Sequence, residues 1–210
     1  MRTHFAPAAI LALLLCLLLP GRILAQAATV VGNGTPASCT AAALATAIDA
    51  GGTITFDCGL EPVTIAGGPY TVAGALTIDG GGLLTLSGED AHRHFVVTTE
   101  GSLRLANLTL TGGSAVEGGG SIFSEGVLVL DTVVVHDNRT TGVNSGGGAI
   151  VSLGGALTIF GSHFYANVAA YTAGAILQSN GVLVIENSVI DGNSAAVFGA
   201  IDSTGDLTIR

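Results

Sequence analysis

His136, Tyr165 and Asp191 each lie ten residues after a glycine that opens a Gly-x-Leu-x-(Leu/Ile) motif, at Gly126, Gly155 and Gly181. If those motifs stack, an imidazole, a phenol and a carboxylate come together on one outer face, with Asp137 and Arg139 just beyond. Such a trio could exchange protons with a substrate or grip a polar ligand. As a catalytic set it is weak. Ca²⁺-assisted β-elimination needs several carboxylates facing a basic Arg or Lys, whereas the chain has no lysine and Asp137 and Asp191 sit two repeats apart. A glycosidase needs two acids roughly 5 to 10 Å apart across the sugar. The outward positions interpose Thr109, Val134, Tyr165 and Val189. His136, Tyr165 and Asp191 therefore stand as weak candidates, and no catalytic residue is assigned.

Other groups read as architecture. His92 and His94 flank Arg93 in the polar segment from Glu89 to His94, where solvated loop histidines are expected ahead of a metal-ligand pair. Asp79-Gly80-Gly81-Gly82 and Gly118-Gly119-Gly120 lack the lysine and following helix of a phosphate cradle. Asp131, Asp137, Asp191, Asp202 and Asp206 do not recur every nine residues, as a Ca²⁺-binding nonapeptide repeat requires. No cofactor and no metal are expected.

The elements that must position these residues come from the repeat. The motif starts at Gly101, Gly126, Gly155, Gly181 and Gly205, and looser copies start at Gly52 and Gly74, with spacings of 22, 27, 25, 29, 26 and 24 residues. Each period holds three short strands. Leu103/Leu105, Leu128/Leu130, Leu157/Ile159, Leu183/Ile185 and Leu207/Ile209 alternate with outward residues in the first. The second carries Leu108/Leu110, Val133/Val135, Ser162/Phe164 and Ser188/Ile190, and the third Gly120-Ser121-Ile122, Gly148-Ala149-Ile150, Gly174-Ala175-Ile176 and Gly199-Ala200-Ile201. Strands this short cannot bury their apolar face within one coil and must stack on the next copy. The expected fold is all-β: a single-stranded right-handed parallel β-helix (a solenoid) of about seven coils, roughly 30 Å long, over residues 52–210. A leucine-rich horseshoe would need a helix in each repeat, and Gly, Ser, Thr and Val occupy that place.

Asn138, Asn167 and Asn193 recur twelve residues after their glycines, so a ladder of inward amides is expected to satisfy the backbone at a buried bend. The Gly before Ala-Ile is expected where a Cβ would enter a narrow interior. The longer coil from Gly126 should gain its residues in a polar loop from Arg139 to Ser145. Upstream, Ser38 to Asp49 followed by Gly51-Gly52 describes a short amphipathic helix with both caps, so residues 27–51 read as linker plus capping helix.

Residues 1–26 read as a secretory signal: Arg2, an apolar run from Ala8 to Leu19, then Ala25-Gln26-Ala27 for cleavage. Cys16 would leave with it, and Leu15 before it argues against a lipoprotein. Cys39 and Cys58 then remain; a disulfide, contributing about 3 kcal/mol on the loop-entropy model, is the simplest reading, with buried free thiols as the other. Beyond the signal, 15 acidic residues face four arginines, a balance of −11 that disfavours nucleic acid and anionic membranes. No later apolar run is long enough to span a bilayer.

Phe164-Tyr165-Ala166-Asn167 followed by Ala173-Gly174-Ala175-Ile176, and Val135-His136-Asp137-Asn138 followed by Gly147-Gly148-Ala149-Ile150, resemble the Phe-x-x-Asn and Gly-Gly-Ala-Ile repeats of polymorphic outer membrane proteins. Ile190-Asp191-Gly192-Asn193 and Phe198-Gly199-Ala200-Ile201 continue them, so the resemblance covers about residues 101–210. Cys39 through Gly81 is similar to the capped start of secreted bacterial β-helices of the pectate-lyase-like superfamily. The resemblance implies export and display at the cell surface or as a secreted protein, with adhesion or binding to a glycan or a cell-surface protein more than catalysis. A carbohydrate-active lyase or hydrolase is the alternative. Arg210 falls inside a first strand, which reads as an incomplete solenoid, with any C-terminal anchor lying further on.

Overall fold

Alternation of Leu103 and Leu105 with Ser102 and Arg104 turns both leucines to one side of an extended segment, and the following motifs repeat the pattern. In a computed structural model, which describes residues 28–210, these side chains meet in register along the axis of a parallel β-helix of about seven turns. Leu103 pairs with Leu128, Leu128 with Leu157 and Leu157 with Leu183, and all four are 0% exposed. Each leucine buried this way contributes roughly 1.5 to 3 kcal/mol. The expectation for residues 1–26 lies outside the described residues.

The longest sheet runs Thr29–Gly32, Gly52–Asp57, Ala75–Ser87, Ser102–Thr111, Val127–His136, Ala156–Phe160, Val182–Glu186 and Asp206–Ile209, every neighbour parallel. Val63–Ala66, His163–Tyr165 and Val189–Asp191 join it as second limbs of their turns. A six-stranded sheet stacks Tyr70–Val72, Phe95–Val97, Ile122–Ser124, Ile150–Leu153, Ile176–Ser179 and Ile201–Ser203. A four-stranded sheet, Ser114–Ala115, Arg139–Thr140, Val168–Thr172 and Ser194–Val197, lies between the second limb and the six-stranded sheet in chain order. The turn thus has four extended segments where three were expected. The extra one turns small residues inward, Ala115, Thr140, Ala169 or Ala195, with Thr172 buried as well in Val168–Thr172, so it leaves no apolar alternation to read. It also takes Arg139 and Thr140 out of the expected loop, leaving a shorter excursion on which Val143 is 88% exposed.

Corners are made by residues in the left-handed region at fixed steps. Six residues after the motif glycine stand Asn107, Thr132, Gly161 and Asn187, with φ of 51, 58, 57 and 50°. Eleven after it stand Gly112, Asp137, Ala166 and Gly192, at 63, 53, 53 and 59°. The glycine before Ala-Ile has a different cause from the one expected: a Cβ at Gly148 would strike the Gly174 carbonyl of the next turn and the Val168 backbone, so turn-to-turn spacing sets the constraint.

At the N-terminal end, Ala41–Ala50 is helical, with the Thr40 hydroxyl accepting from the Ala43 N–H at 3.2 Å and the Gly51 N–H donating to the Ile48 carbonyl. It buries Leu44, Ala47 and Ile48 against Thr29–Gly32, Gly52–Asp57 and Tyr70–Val72. Cys39 and Cys58 form a disulfide. The stretch read as a linker holds the strand Thr29–Gly32, which pairs with Gly52–Asp57 and extends the long sheet by one strand.

One interior column changes character along the axis. Val72 and Val97 are followed in register by Ser124, Ser152, Gln178 and Ser203. The Ser203 hydroxyl donates to Gln178 Oε1 at 2.6 Å, while the buried Ser152 hydroxyl has no partner among the described residues.

Candidate functional site

Pairing of Val127–His136 with His163–Tyr165, and of that strand with Val189–Asp191, sets His136, Tyr165 and Asp191 opposite one another on successive turns. The alternation that buries Val135, Phe164 and Ile190 aims these three outward. The His136 ring lies parallel on Tyr165, 4.8 Å between centroids and 2° between planes, and the His163 ring approaches Tyr165 at 4.8 Å with a 45° tilt. His163 Nε2 is 2.8 Å from Asp191 Oδ1. His136 Nδ1 is 2.6 Å from Asp137 Oδ2 and 3.3 Å from the Thr111 hydroxyl. Around the next corner, Arg139 Nη1 donates to Asp90 Oδ1 at 2.5 Å and Nη2 to the Asp90 carbonyl at 3.1 Å. Asp90, Asp137, Asn138, Arg139, Ala166 and Val168 line an open groove of about 370 Å³ beside the stacked rings.

The cluster is therefore a polar and aromatic platform with one groove along its edge. Asp137 and Asp191 are each hydrogen-bonded to a histidine, with 63% and 65% of their side chains exposed. Asp137 lines the groove together with Asp90, whose carboxylate Arg139 holds. Among the described residues, no three His, Cys, Asp or Glu side chains converge to hold a metal ion.

The chain matches no protein-family model, no curated protein and no solved structure.

Two residues join the platform beyond the expected trio. His163 falls in the outward column of Thr109, Val134 and Val189, yet it reaches diagonally to Tyr165 and Asp191. Diagonal neighbours on one face lie within reach of long and aromatic side chains, which was the available signal. Asp90 arrives from a turn whose N–H donates to the Gly112 carbonyl at 2.7 Å, and no periodicity announces it.

The histidines of the segment from Glu89 to His94 part company. His92 is exposed, but His94 is fully buried, with Nδ1 at 3.0 Å from the Ser121 hydroxyl and Nε2 at 3.1 Å from the Leu86 carbonyl. Burial pushes its pKa down to about 4, since a charged imidazole would be cut off from water. His94 is a core residue, which corrects the solvated-loop expectation. The amides of Asn138, Asn167 and Asn193 form a continuous chain. Asn138 Nδ2 donates to Asn167 Oδ1 at 2.9 Å and Asn167 Nδ2 to Asn193 Oδ1 at 2.8 Å, while Asn138 Oδ1 accepts from the Gly113 N–H at 2.8 Å. They also hold backbone carbonyls, Asn167 that of Val135 at 2.9 Å, so this ladder ties the corner directly beneath the exposed platform.

Proposed function

We propose that the chain is an exported β-helix module that binds or displays, in the manner of the polymorphic outer membrane proteins its repeats resemble, and that its binding face is the platform of His136, His163, Tyr165 and Asp191. The observation that carries this reading is the parallel stack of His136 on Tyr165, held by carboxylates on a sheet whose backbone is fixed by its neighbours. A pre-ordered aromatic surface loses little conformational freedom on binding, which favours a recognition role. Partners that suit it are a glycan or a cell-surface protein, with hydroxyl and amide groups to meet the carboxylates, imidazoles and Tyr165. The acidic balance disfavours nucleic acid, and the Cys39–Cys58 disulfide fits an oxidising compartment outside the cell.

The test is a binding screen of the purified chain against a glycan array and a set of surface-protein ectodomains. A partner found there should lose affinity on the order of tenfold with Tyr165→Ala, the effect of about 1.4 kcal/mol, while the circular dichroism spectrum stays unchanged. Depolymerisation of an acidic polysaccharide by the purified chain, abolished by His136→Ala, would instead establish the carbohydrate-active alternative.

A further inference from the structure

The chain contains two Asn-Gly pairs, Asn33-Gly34 and Asn180-Gly181. With no Cβ on the second residue, the glycine nitrogen can approach the asparagine side-chain amide, provided the amide can swing and the nitrogen is not held elsewhere. The two pairs differ in that respect. At Asn33, the side-chain Oδ1 accepts from the Thr35 hydroxyl at 3.1 Å and the backbone N–H donates to the Ser38 hydroxyl at 3.0 Å. Gly34 in turn donates its N–H to the Asp57 carbonyl at 2.7 Å. Asn180 stands exposed at a corner with φ of 55°, and neither its side chain nor the Gly181 N–H has a hydrogen-bond partner among the described residues. It also lines an open groove of about 540 Å³ with Gly154, Gly155, Gly181, Gly205 and Asp206, where water has direct access. The other strong motif glycines at this corner are preceded by Glu100, Glu125, Gly154 and Thr204, so only one turn carries the amide.

We propose that Asn180 is a self-modification site that adds a negative charge to this corner. The Gly181 nitrogen bonds to Cγ of Asn180, the Cγ–Nδ2 bond breaks, and ammonia departs with the proton released from the Gly181 nitrogen, leaving a five-membered succinimide. Water then opens the ring at either carbonyl, giving aspartate or isoaspartate. Either product adds a carboxylate to a groove that already holds Asp206. Isoaspartate also lengthens the backbone by one methylene, two residues before Val182, whose N–H donates to the Gly155 carbonyl at 3.2 Å.

The test incubates the folded full chain and a urea-denatured sample at mildly alkaline pH, and follows both asparagines by peptide mapping with mass spectrometry. In the folded chain Asn180 should convert about tenfold faster than Asn33 or more, equivalent to a barrier difference of about 1.4 kcal/mol. In urea the two rates should converge, and Asn180→Gln should remove the acidic species that ion exchange resolves from the folded chain. Equal rates in the folded chain, faster conversion of Asn33, or an unchanged Asn180 alongside conversion of both in urea would overturn the proposal.

Discussion

His94 shows how one side chain sets a pH limit on the whole solenoid. Its neutral ring satisfies both neighbours, donating from Nε2 to the Leu86 carbonyl and accepting at Nδ1 from Ser121. Its pKa of about 4 in the folded chain lies below the ordinary histidine value of about 6.5. Between those values the unfolded chain takes up a proton that the folded chain refuses. The stabilisation is thus fully present above about pH 6.5 and is lost as pH falls toward 4, by about 3 kcal/mol in all. Urea midpoints measured across that range should fall with acidity, and His94→Gln should flatten this part of the profile. An unchanged profile in that variant would place the acid sensitivity elsewhere. The outer-face histidines belong to a different setting: His136 and His163 touch the carboxylates of Asp137 and Asp191 at the surface.

At the scale of the element, corners carry both the strain and the record of it. Thr132 holds a left-handed φ of 58° at a corner where the stacked turns use Asn107, Gly161 and Asn187. A β-branched residue in that region is an outlier costing roughly 1 to 2 kcal/mol, whereas asparagine adopts it readily. Thr132→Asn should therefore raise stability by about 1 kcal/mol, read as a higher thermal midpoint. A lower midpoint would show that the Thr132 hydroxyl bond to Asp131 Oδ1, at 3.1 Å, matters more than the backbone. The strands between corners were legible because Leu103/Leu105 and their copies alternate with outward residues and recur at one period. The four-stranded sheet was not, since two-residue segments turning only Ala115 or Thr140 inward have no periodicity to detect. Asn138, Asn167 and Asn193 were legible for the same reason as the leucines. The diagonal contact of His163 with Asp191 depends on facing strands rather than on spacing along the chain.

As a whole molecule, the solenoid is a stack in which each turn touches mainly the turns beside it, so stability should be local and nearly additive. The Cys39–Cys58 disulfide, closing a separation of 19 residues, ties the capping helix to the first turn. Replacing both cysteines with alanine should cost about 3 kcal/mol in that region on the loop-entropy model. Hydrogen exchange should quicken in Gly52–Asp57 and Tyr70–Val72 while Val127–His136 keeps its protection. A uniform loss of protection along the axis would show a single cooperative unit in place of a stack.

The constraint at Gly148 has a further consequence. The turns are spaced by in-register parallel pairing, closely enough at Gly148 to leave no room for a Cβ. Outward residues are thus presented on a ruler with graduations of about 4.8 Å, and His136 and Asp191, two turns apart, stand roughly 10 Å from each other along the axis. A partner that engages both must bring its own groups at that pitch. Lengthening the solenoid by whole turns would add graduations without moving those already in place.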